Sequence, residues 1–352
     1  MKKLFRNAAA LALAAALLLS LAACGKDQES QPEAEEPVQE EPTTLRVGAL
    51  KGPTAMGLVE LMKASDLAGA GEDVPQAYDN LPDAVDSYTF TLAASATELA
   101  PQLVKGDLDI ACVPANLAAS LYQQTEGQVV TLGINTLGVL YIVENGNAVQ
   151  SLADLEGKTM VASGKDSTPE YALRYLLEEN GVDPDTGVVI DWKNEHSECV
   201  SALASGAATI ALLPQPFVTV AESKMPELRT ALDLTAEWDA LDNGSALITG
   251  VVVARRDVAE AHPQAMERFL EQYAASVDWV NANTADAAAL IGEYGIVDAA
   301  VAEKALPACN IVCITGNEMK EKLSGYLQVL CDASADSVGG AMPGDDFYYG
   351  AE

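Results

Sequence analysis

The sequence predicts an α/β protein of two similar lobes joined by extended crossovers, and three observations predict it. The first is an internal repeat: residues 98–114 and 198–214 align without a gap, with Glu98/Glu198, Leu103/Leu203, Gly106/Gly206, Ile110/Ile210, Ala111/Ala211 and Pro114/Pro214 coincident. The second is that a strand, a loop rich in Gly, Ser, Thr and Pro, and a helix precede each copy in the same order. The third is a pair of long apolar runs, Val129–Val143 and Ser245–Ala254, placed to pass from one half to the other.

The chain begins with Lys2, Lys3 and Arg6, continues in almost unbroken Ala and Leu from Ala8 to Ala23, and reaches Cys24. A basic start, an apolar stretch and small residues before a cleavage point make residues 1–23 a secretory signal peptide. The apolar run of about 16 residues falls short of the ~20 that span a bilayer. Leu21-Ala22-Ala23-Cys24 resembles the bacterial lipobox, in which the cysteine is diacylated; two acyl chains anchor a protein stably where one does not. Residues 24–44 contain Glu33, Glu35, Glu36, Glu40 and Glu41 with Pro32, Pro37 and Pro42. Like charges without apolar periodicity keep this segment an extended acidic tether.

The first lobe, residues 45–135 plus 250–349, opens with a strand at Leu45–Leu50, a turn through Lys51–Gly57 and a helix at Leu58–Lys63. In the repeat that follows, Ser95-x-x-Glu98 reads as a capping box, Gly106 as the left-handed end of the helix, and Pro114 as the stop of a buried strand. The second lobe, residues 140–245, repeats the plan. Lys158–Ala162 is a strand, and Ser163–Pro169 is a loop opening the helix Glu170–Asn180, with Ser167-x-x-Glu170 as its capping box and Gly181 beyond its end. After Pro263 the chain turns helical at Gln264–Asn281, Ala285–Gly292, near Ala299–Leu306, and at Glu318–Cys331, wrapping the first lobe. Two crossovers with few other connections form a hinge.

Composition excludes several functions. With 20 Lys+Arg against 52 Asp+Glu, and a formal charge of −32, no basic stripe exists to displace counterions from nucleic acid, and an anionic membrane surface repels the body. Two histidines, His196 and His262, cannot make a multi-histidine metal site; both lie at helix starts and read as surface or capping groups. No Gly-x-Ser-x-Gly elbow is present, so neither catalysis nor a metal or other cofactor is expected. Beyond Cys24 remain Cys112, Cys199, Cys309, Cys313 and Cys331, an odd set read as structural thiols, with pairing of Cys309 and Cys313 left open.

In open α/β sheets, ligands sit beyond the carboxyl ends of strands and against helix N-termini, whose free N–H groups favour anions. That rule gathers four loops at one cleft. Gly52, Pro53, Thr54, Ala55 and Met56, with Pro114, Ala115 and Asn116, come from the first lobe. Gly164, Lys165, Ser167 and Thr168, with Pro214 and Gln215, come from the second. Ser95 and Asn194, at the starts of the two repeat helices, join them. Hydroxyls and amides supply neutral hydrogen bonds, Lys51 and Lys165 are one cation per lobe, and Tyr141 and Tyr171 are flat surfaces for stacking. The bland role of Thr54, Ser95, Ser167 and Asn194 is N-capping.

Lys51-Gly-Pro-Thr-Ala-Met-Gly57, Gly106-Asp-Leu-Asp-Ile-Ala111, Pro307-Ala-Cys-Asn-Ile-Val312 and Val338-Gly-Gly-Ala-Met-Pro-Gly-Asp-Asp-Phe-Tyr-Tyr349 resemble strings of solute-binding lipoproteins of ABC importers. The superfamily concerned binds nitrate, sulfonates and taurine, or thiamine-type pyrimidines, and the strings resemble those of one bacterial branch of it. This resemblance, over residues 45–349, implies the type II periplasmic-binding-protein (Venus flytrap) fold, with C-terminal helices on lobe 1. It implies capture of a small solute without catalysis by a monomer on the extracytoplasmic face of the cell membrane, with ABC permease and ATPase subunits as partners. A ligand-sensing or surface interaction lipoprotein on the same scaffold is the alternative, and an enzyme of the same fold ranks behind it.

Overall fold

The computed structural model describes residues 43–72 and 87–352. The signal peptide, Cys24 and nearly all of the tether therefore lie outside the described residues. The chain runs through β1 (Thr44–Leu50), α1 (Pro53–Met56), α2 (Val59–Ala70), β2 (Ser87–Ala93), α3 (Ala96–Lys105), β3 (Ile110–Pro114), α4 (Ala115–Gln124) and β4 (Val129–Leu137). It then enters β5 (Leu140–Glu144), β6 (Thr159–Ser163), α5 (Thr168–Glu179), β7 (Val189–Lys193), α6 (His196–Ala204), β8 (Ile210–Pro214), α7 (Phe217–Lys224), β9 (Arg229–Asp233) and α8 (Leu234–Asp239). β10 (Ile248–Arg255) returns, followed by α9 (Arg256–Ala261), α10 (Pro263–Ala282), α11 (Thr284–Glu293), α12 (Ala299–Ala305), β11 (Ile311–Ile314) and α13 (Gly316–Ala333).

The strands form two sheets of one design. The first has the order β11-β4-β10-β3-β1-β2 and the second β7-β6-β8-β5-β9. In each, three parallel strands (β2-β1-β3 and β7-β6-β8) meet one antiparallel strand supplied by a crossing segment, β10 or β5. Pro114 ends β3 opposite Gly250, and Pro214 ends β8 opposite Leu140, so the repeat offset of one hundred residues is also a structural equivalence. Gly106 and Gly206 both take left-handed φ, 80° and 74°, at the ends of α3 and α6.

Three apolar layers hold the sheets. One face of the first sheet packs on α2, α10 and α11, with Leu61, Met266, Phe269 and Val280 buried. Its other face packs on α3, α4 and α13, and this layer continues without a break into the second sheet's core through α5 and α8. The remaining face of the second sheet is covered by α6 and α7. The C-terminal helices thus do more than cover the first sheet, because α13 also reaches the second: Tyr326 packs on Trp238 of α8, ring centroids 5.5 Å apart. The cysteines of the described residues are free thiols, Cys309 and Cys313 included.

The Val129–Val143 run is two strands, broken at Gly138 and Val139, where the first crossing occurs. A Cβ on Gly138 would stand 2.1 Å from Thr235 Oγ1, so only glycine passes there. Asn310, in the left-handed region at φ 44°, straps this break. Its Nδ2 donates to Gly138 O at 2.6 Å, and its carbonyl accepts from Leu137 N at 3.1 Å. Thr249 of β10 donates its hydroxyl to Leu137 O at 2.5 Å, tying the two crossings together. The motif Pro307–Val312 therefore serves the hinge.

Candidate solute-binding site

The loops named from the sequence fall at the carboxyl ends of β1, β3, β6 and β8. Gly52 precedes α1 with φ 148°, a conformation costly for any residue with a Cβ, so the turn into the helix depends on glycine. Pro53 occupies the first turn; Ala55 and Met56 point into the core, fully buried. Thr54 does not cap a helix: its hydroxyl donates to Leu50 O at 3.0 Å. Its methyl lies against Gly250, where a Cβ would come within 2.7 Å of Thr54 Cγ2 and 2.5 Å of Asn135 Oδ1.

Two expected capping boxes form differently. Ser95 occupies the N-cap of α3, but its hydroxyl pairs with Thr97 Oγ1 at 2.9 Å, while Glu98 accepts from Ala94 N at 3.3 Å. Ser167 is the N-cap of α5, yet Glu170 accepts from Asp166 N at 2.7 Å. In both, the glutamate reaches one residue further back than the sequence rule supposes. At α6 the cap is Glu195 rather than Asn194; both backbone amides donate to Glu198.

Gly164 turns the chain at φ 84°, with a would-be Cβ 2.7 Å from Pro169 Cγ. Lys165 is exposed, as is Lys51. Pro114 is half-buried, and Ala115 and Pro214 are buried. Gln215 is buried too; its carboxamide oxygen accepts from Thr219 N at 3.3 Å and Thr219 Oγ1 at 3.0 Å, which leaves its amino group as a donor.

One pair of predicted residues meets across the lobes. Thr168, at the N-terminus of α5, donates its hydroxyl to Asn116 Oδ1 of α4 at 3.1 Å. Asn116 Nδ2 donates in turn to Ser337 O at 3.3 Å. Both side chains are buried, and Tyr326 of α13 lies beside them with its phenol pushed up by burial.

Sequence reasoning missed a second cluster. Ser163 ends β6, His196 begins α6 and Phe217 begins α7. Ser163 Oγ and His196 Nδ1 are 2.5 Å apart, and the imidazole lies 5.0 Å from the Phe217 ring, centroid to centroid. Burial lowers the His196 pKa from 6.5 to about 4, so the ring is neutral at physiological pH. His196 is therefore not the surface or capping group its helix-start position suggested. Its partner is 33 residues away, a distance that no local spacing encodes.

Five arginines of the described residues are engaged by carboxylates. Arg46 pairs with Asp109, Arg174 with Asp185, Arg229 with Glu144, Arg255 with Asp257 and Arg256 with Asp346. Among the described residues no group of His, Cys, Asp and Glu could hold a metal ion, and no helix is long and apolar enough to cross a membrane.

Two sheets of matching topology, one with six strands and one with five, linked by paired crossings and presenting helix N-termini to one another, define a two-lobed solute-binding protein. Residues 86–305 match the family described as ABC transporter, phosphonate, periplasmic substrate-binding protein. The chain belongs to that family and is the substrate-binding protein of an ABC importer. No curated protein matches the chain. An ABC transporter from Parabacteroides distasonis is similar in structure at TM-score 0.69 and 22% identity, over 87% of this chain and 98% of that one. The periplasmic aliphatic sulphonate binding protein SsuA of Escherichia coli follows at 0.67 and 17%, over 84% and 93%. The alkanesulfonate-binding protein SsuA of Xanthomonas axonopodis pv. citri, bound to MOPS, stands at 0.65 and 15%, over 87% and 96%. At these identities the likeness is one of fold.

Proposed function

We propose that the mature protein is a monomer held on the extracytoplasmic face of the cell membrane by a diacylated Cys24, with residues 24–44 as tether. Lobes at 45–135 plus 250–349 and at 140–245 close over a small solute and hand it to an ABC permease driven by its ATPase. No reaction is catalysed. The solute is a small oxyanion of the sulfonate or nitrate type, held by loop hydroxyls and amides and by the N-terminal N–H groups of α4, α5 and α6 rather than by arginine. The sulfonate and phosphonate named for the similar proteins and the family share an oxyanion headgroup.

The single observation that carries this reading is the Thr168–Asn116 hydrogen bond, which joins two loops expected to face one cleft from opposite lobes. A thiamine-type pyrimidine is the second reading, favoured by the adjacent rings of His196 and Phe217. Native mass spectrometry of residues 25–352, as purified and again after unfolding and refolding, tests both. A discrete adduct lost on refolding gives the solute mass. If no adduct forms and no sulfonate, nitrate or pyrimidine raises the melting temperature, the solute-binding reading fails. For the anchor, wild-type protein should sediment with membranes and Cys24→Ala should not.

A further inference from the structure

We infer that His196 is the solute-contacting group of the second lobe, oriented by Ser163 and flanked by Phe217, and that an oxyanion binds together with a proton on this imidazole. The inference rests on the oxyanion reading above and assigns it a residue and a pH dependence.

The geometry comes first. Three successive strand ends of the parallel half of the second sheet deliver Ser163, His196 and Phe217 to one place, the crevice position where α/β sheets bind ligands. Ser163 is buried and its hydroxyl occupies Nδ1, so the ring's orientation is fixed and Nε2 is the nitrogen left for a solute. His196 and Phe217 are, as whole residues, part-exposed. A fixed, neutral imidazole on a part-exposed residue, with an aromatic neighbour, suits an oxyanion that carries a short apolar tail.

The charge argument follows. No cation neutralises a solute from within this cluster. Lys193 of β7 is paired with Asp191 at 2.7 Å. Glu198 of α6 accepts from the Asn194 and Glu195 backbone amides just before the helix, and the Glu195 side chain accepts from the third-position backbone of the helix. Cys199 is a buried thiol one turn on, Lys165 and Asp166 are exposed in the loop after Ser163, and Glu222 and Lys224 sit at the far end of α7. β8 carries no charged residue. Burial, with no neighbouring charge, is what depresses the His196 pKa. An anion seated against Nε2 reverses that balance, since an adjacent opposite charge favours the imidazolium. Each bound anion then takes up a proton, and affinity rises as pH falls. Returning the imidazole to its ordinary range predicts a gain on the order of ten-fold between pH 7.5 and 5.5.

The test is calorimetric titration of the soluble chain, residues 25–352, with ethanesulfonate, butanesulfonate and nitrate at pH 7.5 and 5.5. Bis-Tris chloride is the buffer, because sulfonate buffers would compete. Wild type should tighten on the order of ten-fold at the lower pH. His196→Gln should bind more weakly at pH 5.5 and lose the pH dependence. Ser163→Ala, which frees the ring, should lose affinity at both pH values and keep a pH dependence. An anion that binds wild type equally at both pH values, or a His196→Gln chain that keeps the pH dependence, overturns the role of His196 and leaves the oxyanion reading standing. Failure of all three anions on folded wild type overturns the oxyanion reading and this inference with it. Should His196→Gln not fold, the wild-type pH dependence and Ser163→Ala decide.

Discussion

The Thr168 hydroxyl donates to the Asn116 carboxamide at 3.1 Å, joining helices that follow β6 and β3, strands of different sheets. Because Asn116 is also tied to Ser337 O, the contact links α4, α5 and the C-terminal segment in one chain of bonds. A buried neutral hydrogen bond contributes about 1 kcal/mol, and a partner left unsatisfied costs somewhat more.

Asn116→Ala and Thr168→Val should each lower the melting temperature by a few degrees, and the double variant by less than their sum. A coupling of roughly 0.5–1.5 kcal/mol is expected from the double-mutant cycle in urea. Additive effects would mean the bond contributes nothing in solution.

Asn310→Ala removes the donor to Gly138 O and places a residue with a Cβ at φ 44° without the side-chain bond. The expected loss is about 1–2 kcal/mol. Small-angle scattering of the solute-free chain should show a larger radius of gyration than wild type, because the side-chain strap across the crossing has gone. Asn310→Gly keeps the backbone angle, and so separates the strain from the strap.

Gly138→Ala drives a methyl into Thr235, whose Oγ1 would lie 2.1 Å away. Destabilisation of about 1–3 kcal/mol is expected, with partial recovery in the Gly138→Ala/Thr235→Ala pair. No recovery in the pair would show that the glycine is needed for some other reason.

Glu60 of α2 is fully buried, neither carboxylate oxygen has a hydrogen-bond partner among the described residues, and burial raises its pKa from 4.5 to about 7. The folded protein thus holds the proton that the unfolded chain has released between these values. The group's contribution is intact below pH 4.5 and lost as pH rises through 7, a cost on the order of 3 kcal/mol at pH 8. Glu60→Gln should match wild type near pH 4.5 and melt several degrees higher at pH 8. Equal melting temperatures at pH 8 would mean that the carboxylate reaches water or a cation.

Most elements were legible because their signals are local. The helices from Pro263 onward were readable from apolar periodicity and came within about two residues of their observed ends, and Pro114 and Pro214 marked the strand ends. Shorter elements such as α7, β9 and α8 were not foreseen, having too few residues for a periodic signal. The helix of α2 runs on to Ala70, beyond the predicted Lys63. Its first turn is completed from outside by Ser276 of α10, which donates to Gly57 O at 2.7 Å and accepts from Leu61 N at 3.3 Å.

What the sequence determined by itself is the order of the longer elements, the repeat and the family, since gapless identities such as Gly106/Gly206 and Pro114/Pro214 express backbone needs that each half has independently. Tertiary structure alone decided which polar groups meet. Asn116 finds Thr168 across 52 residues, His196 finds Ser163 across 33, and Asn310 finds Gly138 across 172. Those pairings depend on where two sheets bring their strand ends, and a hydrogen bond at 3 Å is a property of that placement, which residue spacing along the chain does not carry.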